Sequence, residues 1–259
     1  MTEPQTDHAE ADHNARIVAQ FTRWAQPFAD LPLHSEAEGM ARLVAAAAVT
    51  PAARVLDVAC GPGIVACELA RHAGHVTGID LTPAMIAQAE RRQREHGLSN
   101  LAWQIGEAGS LPFADAEFDT VVTRYSFHHL RDPGRALAEM ARVCRPGGRV
   151  LVVDVSPSAE TRAAYDAMET IRDRSHASAL TQAELRALGH ELGLTEVSVA
   201  YYRTEALLPE IADAADMPAL DTLFDADIAS GQDRIGVAAR RTPEGIRFSF
   251  PISVVAWDR

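Results

Sequence analysis

Cysteine is scarce in this chain of 259 residues: Cys60, Cys67 and Cys144 are an odd number with no Cys-x-x-Cys pair. A disulfide framework and a thiolate zinc site are therefore not indicated, no metal is expected, and a reducing compartment suits the thiols. Long basic runs are missing too. The 24 Lys and Arg residues are scattered against 36 Asp and Glu, giving a net charge of −12. That balance argues against a nucleic acid partner, because such binding rests on neutralising phosphates. No apolar run reaches the ~20 residues of a membrane span, since the Ala-rich stretch over residues 43–59 is broken by Pro51 and Arg54. Residues 1–14 are polar and acidic, unlike a secretory signal, so a cytoplasmic protein is expected. Internal repeats and low-complexity linkers are absent as well.

What is present is a 47% hydrophobic composition, enough for one large core. Strand and helix signals alternate with short links from residue 54 onward, the pattern of a parallel sheet covered on both faces. Strands are expected over residues 54–58, 75–79, 101–105, 119–123, 149–155, 196–203 and 245–257. Thr82-Pro83, Asp132-Pro133 and the capping box Thr181-Gln182-Ala183-Glu184 each start a helix. The fold class is α/β, a Rossmann-like, mostly parallel, seven-stranded sheet in a single domain spanning 1–259. Within it, residues 1–50 form a helical extension, 51–155 a cofactor-binding core, and 156–259 acceptor-side insertions and final strands. In the extension, Ile17, Val18, Phe21, Trp24, Ala25 and Phe28 make one apolar stripe on a helix ending near Pro32, and a second helix runs from Glu36 to Val49. Residues 157–180 and 205–230 read as helical insertions.

Glycines at the turn after the first strand let backbone approach a ligand, and the next helix N-terminus offers free N–H groups to an anion. Here the pattern is Gly61-x-Gly63-x-x-Ala66, which a dinucleotide site also tolerates. Asp80 ends the second strand about twenty residues on, where a carboxylate accepts ribose hydroxyls and disfavours a 2′-phosphate. Gly106-Glu107-Ala108 follows the third strand, and Leu111-Pro112-Phe113 comes next.

This order of features resembles the class I S-adenosylmethionine-dependent methyltransferases, more narrowly the branch related to ubiquinone and menaquinone biosynthesis. The matching stretches are Val55 to Gly63, Val76 to Thr82, Gly106 to Phe113, His128-His129-Leu130 and Arg142 to Gly148. The resemblance implies S-adenosylmethionine as cofactor. By position, Asp57, Ala59, Gly61 and Gly63 would hold its amino acid part, Asp80 the ribose, and Leu81 and Met85 the adenine ring. Glu107 and Ala108 would meet the adenine amino edge, with Arg124 at the methionine end. Residue 107 is usually Asp in that family, and Glu is one methylene longer.

Methyl transfer is an in-line displacement, so catalysis rests on positioning and water exclusion, with a base useful for a hydroxyl or protonated amine. His129, with His128 beside it, is the expected base, at the carboxyl edge of the sheet. The plain alternative is that both merely pack at the start of the next helix. Arg172, Ser175 and His176 are candidates for holding a polar small-molecule acceptor, in a segment similar to an Arg-Asp-x-Ser-His run found in one bacterial subgroup. Their alternative is a solvated helix end. Phe21, Trp24 and Tyr125 are candidates for its apolar wall, although an aromatic stripe is more often simple packing. Rival functions are a nicotinamide-dependent oxidoreductase, a cofactor-binding protein or cyclase without methyl transfer, and an RNA or protein methyltransferase. The acceptor, the atom methylated and the oligomeric state are not legible in the sequence.

Overall fold

The strand Arg54–Val58 (β1) is buried at four of its five positions, as befits a parallel strand covered on both faces. His75–Asp80 (β2) and Phe118–Arg124 (β4) flank it in parallel, with Leu101–Ile105 (β3) outside β2 and Cys144–Val155 (β5) outside β4. Gly245–Asp258 (β8) lies antiparallel between β5 and Thr195–Leu207 (β6). The order is β3-β2-β1-β4-β5-β8-β6, parallel from β3 to β5 and antiparallel beyond. These observations come from a computed structural model that describes residues 4–30 and 37–259. The helix end near Pro32 and the side chain of Phe28 lie outside the described residues.

Alternation along β1 sends Val55 into one core and Leu56 and Val58 into the other. The first core is closed by Ala37–Ala47 (α2), Ile64–Leu69 (α3), Arg162–Arg172 (α6) and Met217–Ser230 (α9), the second by Pro133–Val143 (α5) and Gln182–Glu191 (α7). Pro83–Glu95 (α4) packs against β3 and against the long N-terminal helix Pro4–Asp30 (α1). The expected capping box is present: Thr181 and Glu184 satisfy each other's backbone N–H. Asp132 likewise accepts from Arg135 N, whereas Thr82 makes no side-chain cap bond and its own N–H donates to the Asp80 carboxylate.

Four elements depart from expectation. The helix α1 begins at Pro4, since a polar helix start carries no apolar stripe to announce it. The 157–180 helix stops at Arg172, where Asp173 captures Ser175 N and terminates it with a side-chain turn. Strand β6 continues to Leu207, into a stretch expected to be helical, because β8 offers partners out to Arg247; only then come Leu208–Ile211 (α8) and α9. An eighth strand, Arg240–Thr242 (β7), hairpins onto β8; three polar residues leave no alternating pattern to read.

Between β1 and β4 the strand order reverses, so their carboxyl ends leave a crevice between them. No helix among the described residues is long and apolar enough to cross a membrane.

Helix α7 meets β8 where Gly189 faces the buried Trp257, and a β-carbon there would lie 2.3 Å from Trp257 Nε1. Gly189→Ala should therefore cost about 1–3 kcal/mol through overpacking, seen as a lower urea midpoint. An unchanged midpoint would mean that the indole yields freely.

Candidate active site

The loop after β1 is left-handed at Ala59 (φ +53°), Gly61 (+52°) and Gly63 (+75°). The two glycines do different things. A β-carbon on Gly61 would meet nothing within 4 Å, leaving its backbone open to a ligand. On Gly63 it would strike Trp103 at 2.7 Å and Ala89 at 2.9 Å, so this glycine seats α3 against α4 and β3. Gly63, expected beside the cofactor, does not itself line the cavity above the loop, although Pro62 and Ile64 on either side of it do.

That cavity has a volume of about 580 Å³. Every other residue expected to hold the cofactor lines it: Asp57, Ala59, Gly61, Asp80, Leu81, Met85, Glu107, Ala108 and Arg124. Ile17 and Phe21 of α1 form its far wall. Asp80 clamps the two loops together, accepting Gly61 N on Oδ2 and Thr82 N on Oδ1, both at 2.8 Å. Burial raises its pKa against those hydrogen bonds. Asp57 is almost wholly buried, its Oδ2 has no partner among the described residues, and burial pushes its pKa to about 8. A buried carboxylate with an idle oxygen is costly unless a ligand donor completes it. The buried carboxyl groups of Asp57 and Asp80 suit a ligand carrying hydroxyls and a cationic amine.

Past β4 the chain turns sharply. Tyr125 adopts φ +56°, a strained conformation for an aromatic residue, and leads into one 3₁₀ turn, Phe127–His129. The turn is held by Asp154, at the end of β5. Its Oδ2 accepts Ser126 N (2.9 Å) and Phe127 N (2.6 Å), and its Oδ1 accepts Val155 N (2.6 Å) and Nδ1–H of His128 (2.5 Å). Burial alone would raise the Asp154 pKa, yet His128 and the backbone donors bring it below the usual value. For His128, burial acts to lower the pKa and Asp154 overrides it, so its pKa lies above the ordinary imidazole value and the cationic form is favoured.

His129 is the opposite case. Burial and the adjacent His128 charge push its pKa down to about 3, with Asp173 acting partly against them. Ser175 Oγ donates to Asp173 Oδ1 at 2.5 Å, so that oxygen accepts from His129 Nδ1–H at 3.1 Å. The proton is thereby fixed on Nδ1, and Nε2 keeps its lone pair. From the other side, His13 of α1 donates Nε2–H to the His129 carbonyl at 2.6 Å.

A second cavity of about 80 Å³ adjoins the first, and Phe21, Tyr125 and His129 stand in the walls of both. Trp24, His128 and Arg172 line the smaller one. The guanidinium of Arg172 is spent on Glu169, through Nε (2.8 Å) and Nη2 (2.6 Å). Ser175 and His176, expected at the acceptor, line neither cavity. Ser175 instead orients His129, and His176 Nε2 pairs with Asp166 at 2.8 Å. The run from Arg172 to His176 is not a solvated helix end: Asp173, Ser175 and His176 are buried, and Arg174 alone points outward.

Comparison with known proteins agrees with this geometry. A methyltransferase-domain family model matches residues 56–152. Over 170 residues the chain is 31% identical to the uncharacterised methyltransferase YcgJ of Bacillus subtilis, covering 65% of this chain and 67% of that one. The YcgJ crystal structure superposes with a TM-score of 0.78 over 86% of this chain and 98% of that chain, at 24% identity. The chain belongs to the class I S-adenosylmethionine-dependent methyltransferases. Within 118 residues this methyltransferase is 36% identical to the ubiquinone/menaquinone biosynthesis C-methyltransferase UbiE of Roseobacter denitrificans, covering 44% of this chain and 47% of that one. It is also 42% identical over 111 residues to an uncharacterised Mycobacterium tuberculosis protein, covering 43% of this chain and 40% of that one. The chain thus spans two thirds of YcgJ and less than half of the other two.

Sequence reasoning missed Asp154, His13, Glu169 and Asp173. One signal was available for Asp154: it is the lone charge in Val150-Leu151-Val152-Val153-Asp154-Val155, at the strand end that faces the crevice. The others are named by side chains that only tertiary structure brings together.

Because the unfolded chain takes up a proton at His129 near its ordinary pKa of 6.5 while the folded chain waits until about 3, stability should fall as pH drops from 6.5 toward 3. His129→Gln should flatten that fall, by up to about 1.4 kcal/mol per pH unit, in urea unfolding at pH 7 and pH 4.5. Parallel losses in the two proteins would contradict the assignment.

Proposed function

We propose that this methyltransferase carries the methyl group of S-adenosylmethionine to an oxygen, nitrogen or carbon of a small molecule held in the 80 Å³ cavity, with His129 as general base. One observation carries the reading: His129 and Tyr125 form the shared wall between a cofactor-sized cavity and a smaller aromatic one. When bound, the cofactor supplies an electrophilic methyl on a sulfonium.

Every other contribution comes from the chain. Asp57 offers its idle oxygen to the amino group, and Asp80 offers its second lone pairs to the ribose hydroxyls. Leu81 and Met85 flank the adenine, Glu107 and Ala108 face its amino edge, and Arg124 meets the carboxylate. Helix α1 shuts out water with Ile17 and Phe21, which strengthens these interactions. His129 Nε2 takes the acceptor's proton as the new bond forms, and Asp173, one hydroxyl away, favours the imidazolium that results. His128 keeps its charge paired with Asp154 throughout. The net charge of −12 and the enclosed cavity support a small molecule over nucleic acid as acceptor.

Asp80→Asn should weaken S-adenosylhomocysteine binding about 10–100-fold in calorimetric titration, the scale of lost charge-assisted hydrogen bonds. Binding at wild-type affinity would remove Asp80 from the cofactor site. With methyl-labelled cofactor and a panel of small hydroxyaromatic acceptors, His129→Gln should lower kcat about 10²–10⁴-fold while leaving S-adenosylhomocysteine affinity nearly intact. Full turnover by the variant would leave His129 without a base role, and absence of any methyl transfer by the wild type would favour a cofactor-binding protein.

A further inference from the structure

The walls of the smaller cavity define what can enter it. Four aromatic residues line it, Phe21, Trp24, Tyr125 and Phe250, together with Val155 and Ile252. At about 80 Å³ it is roughly half the ~150 Å³ cavity that holds a benzene molecule, so a substituted ring seated in it must reach past Phe21 and Tyr125 toward the larger cavity.

Two polar atoms on this wall are buried and have no partner among the described residues: the indole N–H of Trp24 and the hydroxyl of Thr204. Unsatisfied buried donors of this kind are costly, and a ligand oxygen would relieve both. His129 Nε2 is the third polar feature, and it can only accept in the tautomer set by Ser175.

The charges are unusual for a cavity containing an arginine. Glu169 holds Arg172 through two hydrogen bonds, and the remaining Arg172 nitrogen reaches the Ile211 carbonyl. Asp173 adds a second carboxylate, and Asp154 a third behind His128, against the two cations Arg172 and His128. Both cations are already engaged. An incoming carboxylate or phosphate would find no available positive partner and an excess of negative charge, in a site too buried for salt to screen it.

We infer that the acceptor is an uncharged, single-ring hydroxyl compound carrying a carbonyl, its hydroxyl donating to His129 Nε2 and its carbonyl accepting from Trp24 and Thr204. Specificity against anions is then set by Glu169, which neutralises Arg172. This inference rests on the reading of the smaller cavity as the acceptor site.

The test uses the full chain saturated with S-adenosylhomocysteine and three probes of similar shape, 4-hydroxyacetophenone, 4-ethylphenol and 4-hydroxybenzoate, in calorimetric titration. Wild type should bind 4-hydroxyacetophenone at least tenfold more tightly than 4-hydroxybenzoate. Glu169→Gln, which frees Arg172 and removes one carboxylate, should shrink or invert that ratio by tenfold or more. Trp24→Phe keeps the ring and removes the donor, so it should weaken 4-hydroxyacetophenone about tenfold and leave 4-ethylphenol within about threefold. Preference of the wild type for 4-hydroxybenzoate, no binding of 4-hydroxyacetophenone, or equal losses of both neutral probes in Trp24→Phe would overturn the inference. Should Glu169→Gln fail to fold, the wild-type ratio and Trp24→Phe decide it. Failure of S-adenosylhomocysteine to bind would instead count against the cofactor reading, separately from the charge preference.

Discussion

The carboxylate of Asp154 is the constraint on which the acceptor side depends. It is buried at the end of β5 and accepts four hydrogen bonds, three from backbone N–H groups and one from His128. Removing a partner from such a site leaves an uncompensated charge, which is far more costly than the pair is stabilising. Through those bonds the strand fixes the turn after β4, and through the turn it fixes Tyr125 in its left-handed backbone and His129 between two cavities. The His128 cation is equally a consequence, since burial alone would have left that imidazole neutral.

Two neighbouring histidines end in opposite protonation states because their partners differ. His128 faces a carboxylate directly, while His129 meets its carboxylate, Asp173, through a serine hydroxyl. The charge on the first suppresses the charge on the second. The proposed base role of His129 needs an unprotonated nitrogen at neutral pH, and this arrangement supplies one at a cost in basicity. Helix α1 joins the same network through His13, so the element that walls the larger cavity also holds the backbone of His129.

Most of the sheet was legible in the sequence, because β1, β2, β4 and β5 are apolar runs bounded by glycines, prolines and caps. The lining of the larger cavity was legible for the same reason: Gly61, Asp57 and Asp80 sit within or beside those runs, and local sequence determines their geometry. The packing role of Gly63 was not legible, since a strand-to-helix turn and a close packing contact both select glycine, and the contact is with the distant Trp103. Ser175 and His176 were found, but their partners His129, Asp173 and Asp166 were not legible. Their burial depends on Asp173 ending α6 early, a side-chain event that helical periodicity does not register. Asp154 could be noticed as a charge in an apolar strand. Its link to His128 required the register of β4 against β5.

Nitrogen-15 NMR of the histidine side chains at pH 7, with His128→Gln and His129→Gln used for assignment, tests the account most directly. It predicts that His128 carries protons on both ring nitrogens and that His129 is neutral with its proton on Nδ1. An imidazolium at His129, or a proton on its Nε2, would contradict the arrangement on which the proposed chemistry rests.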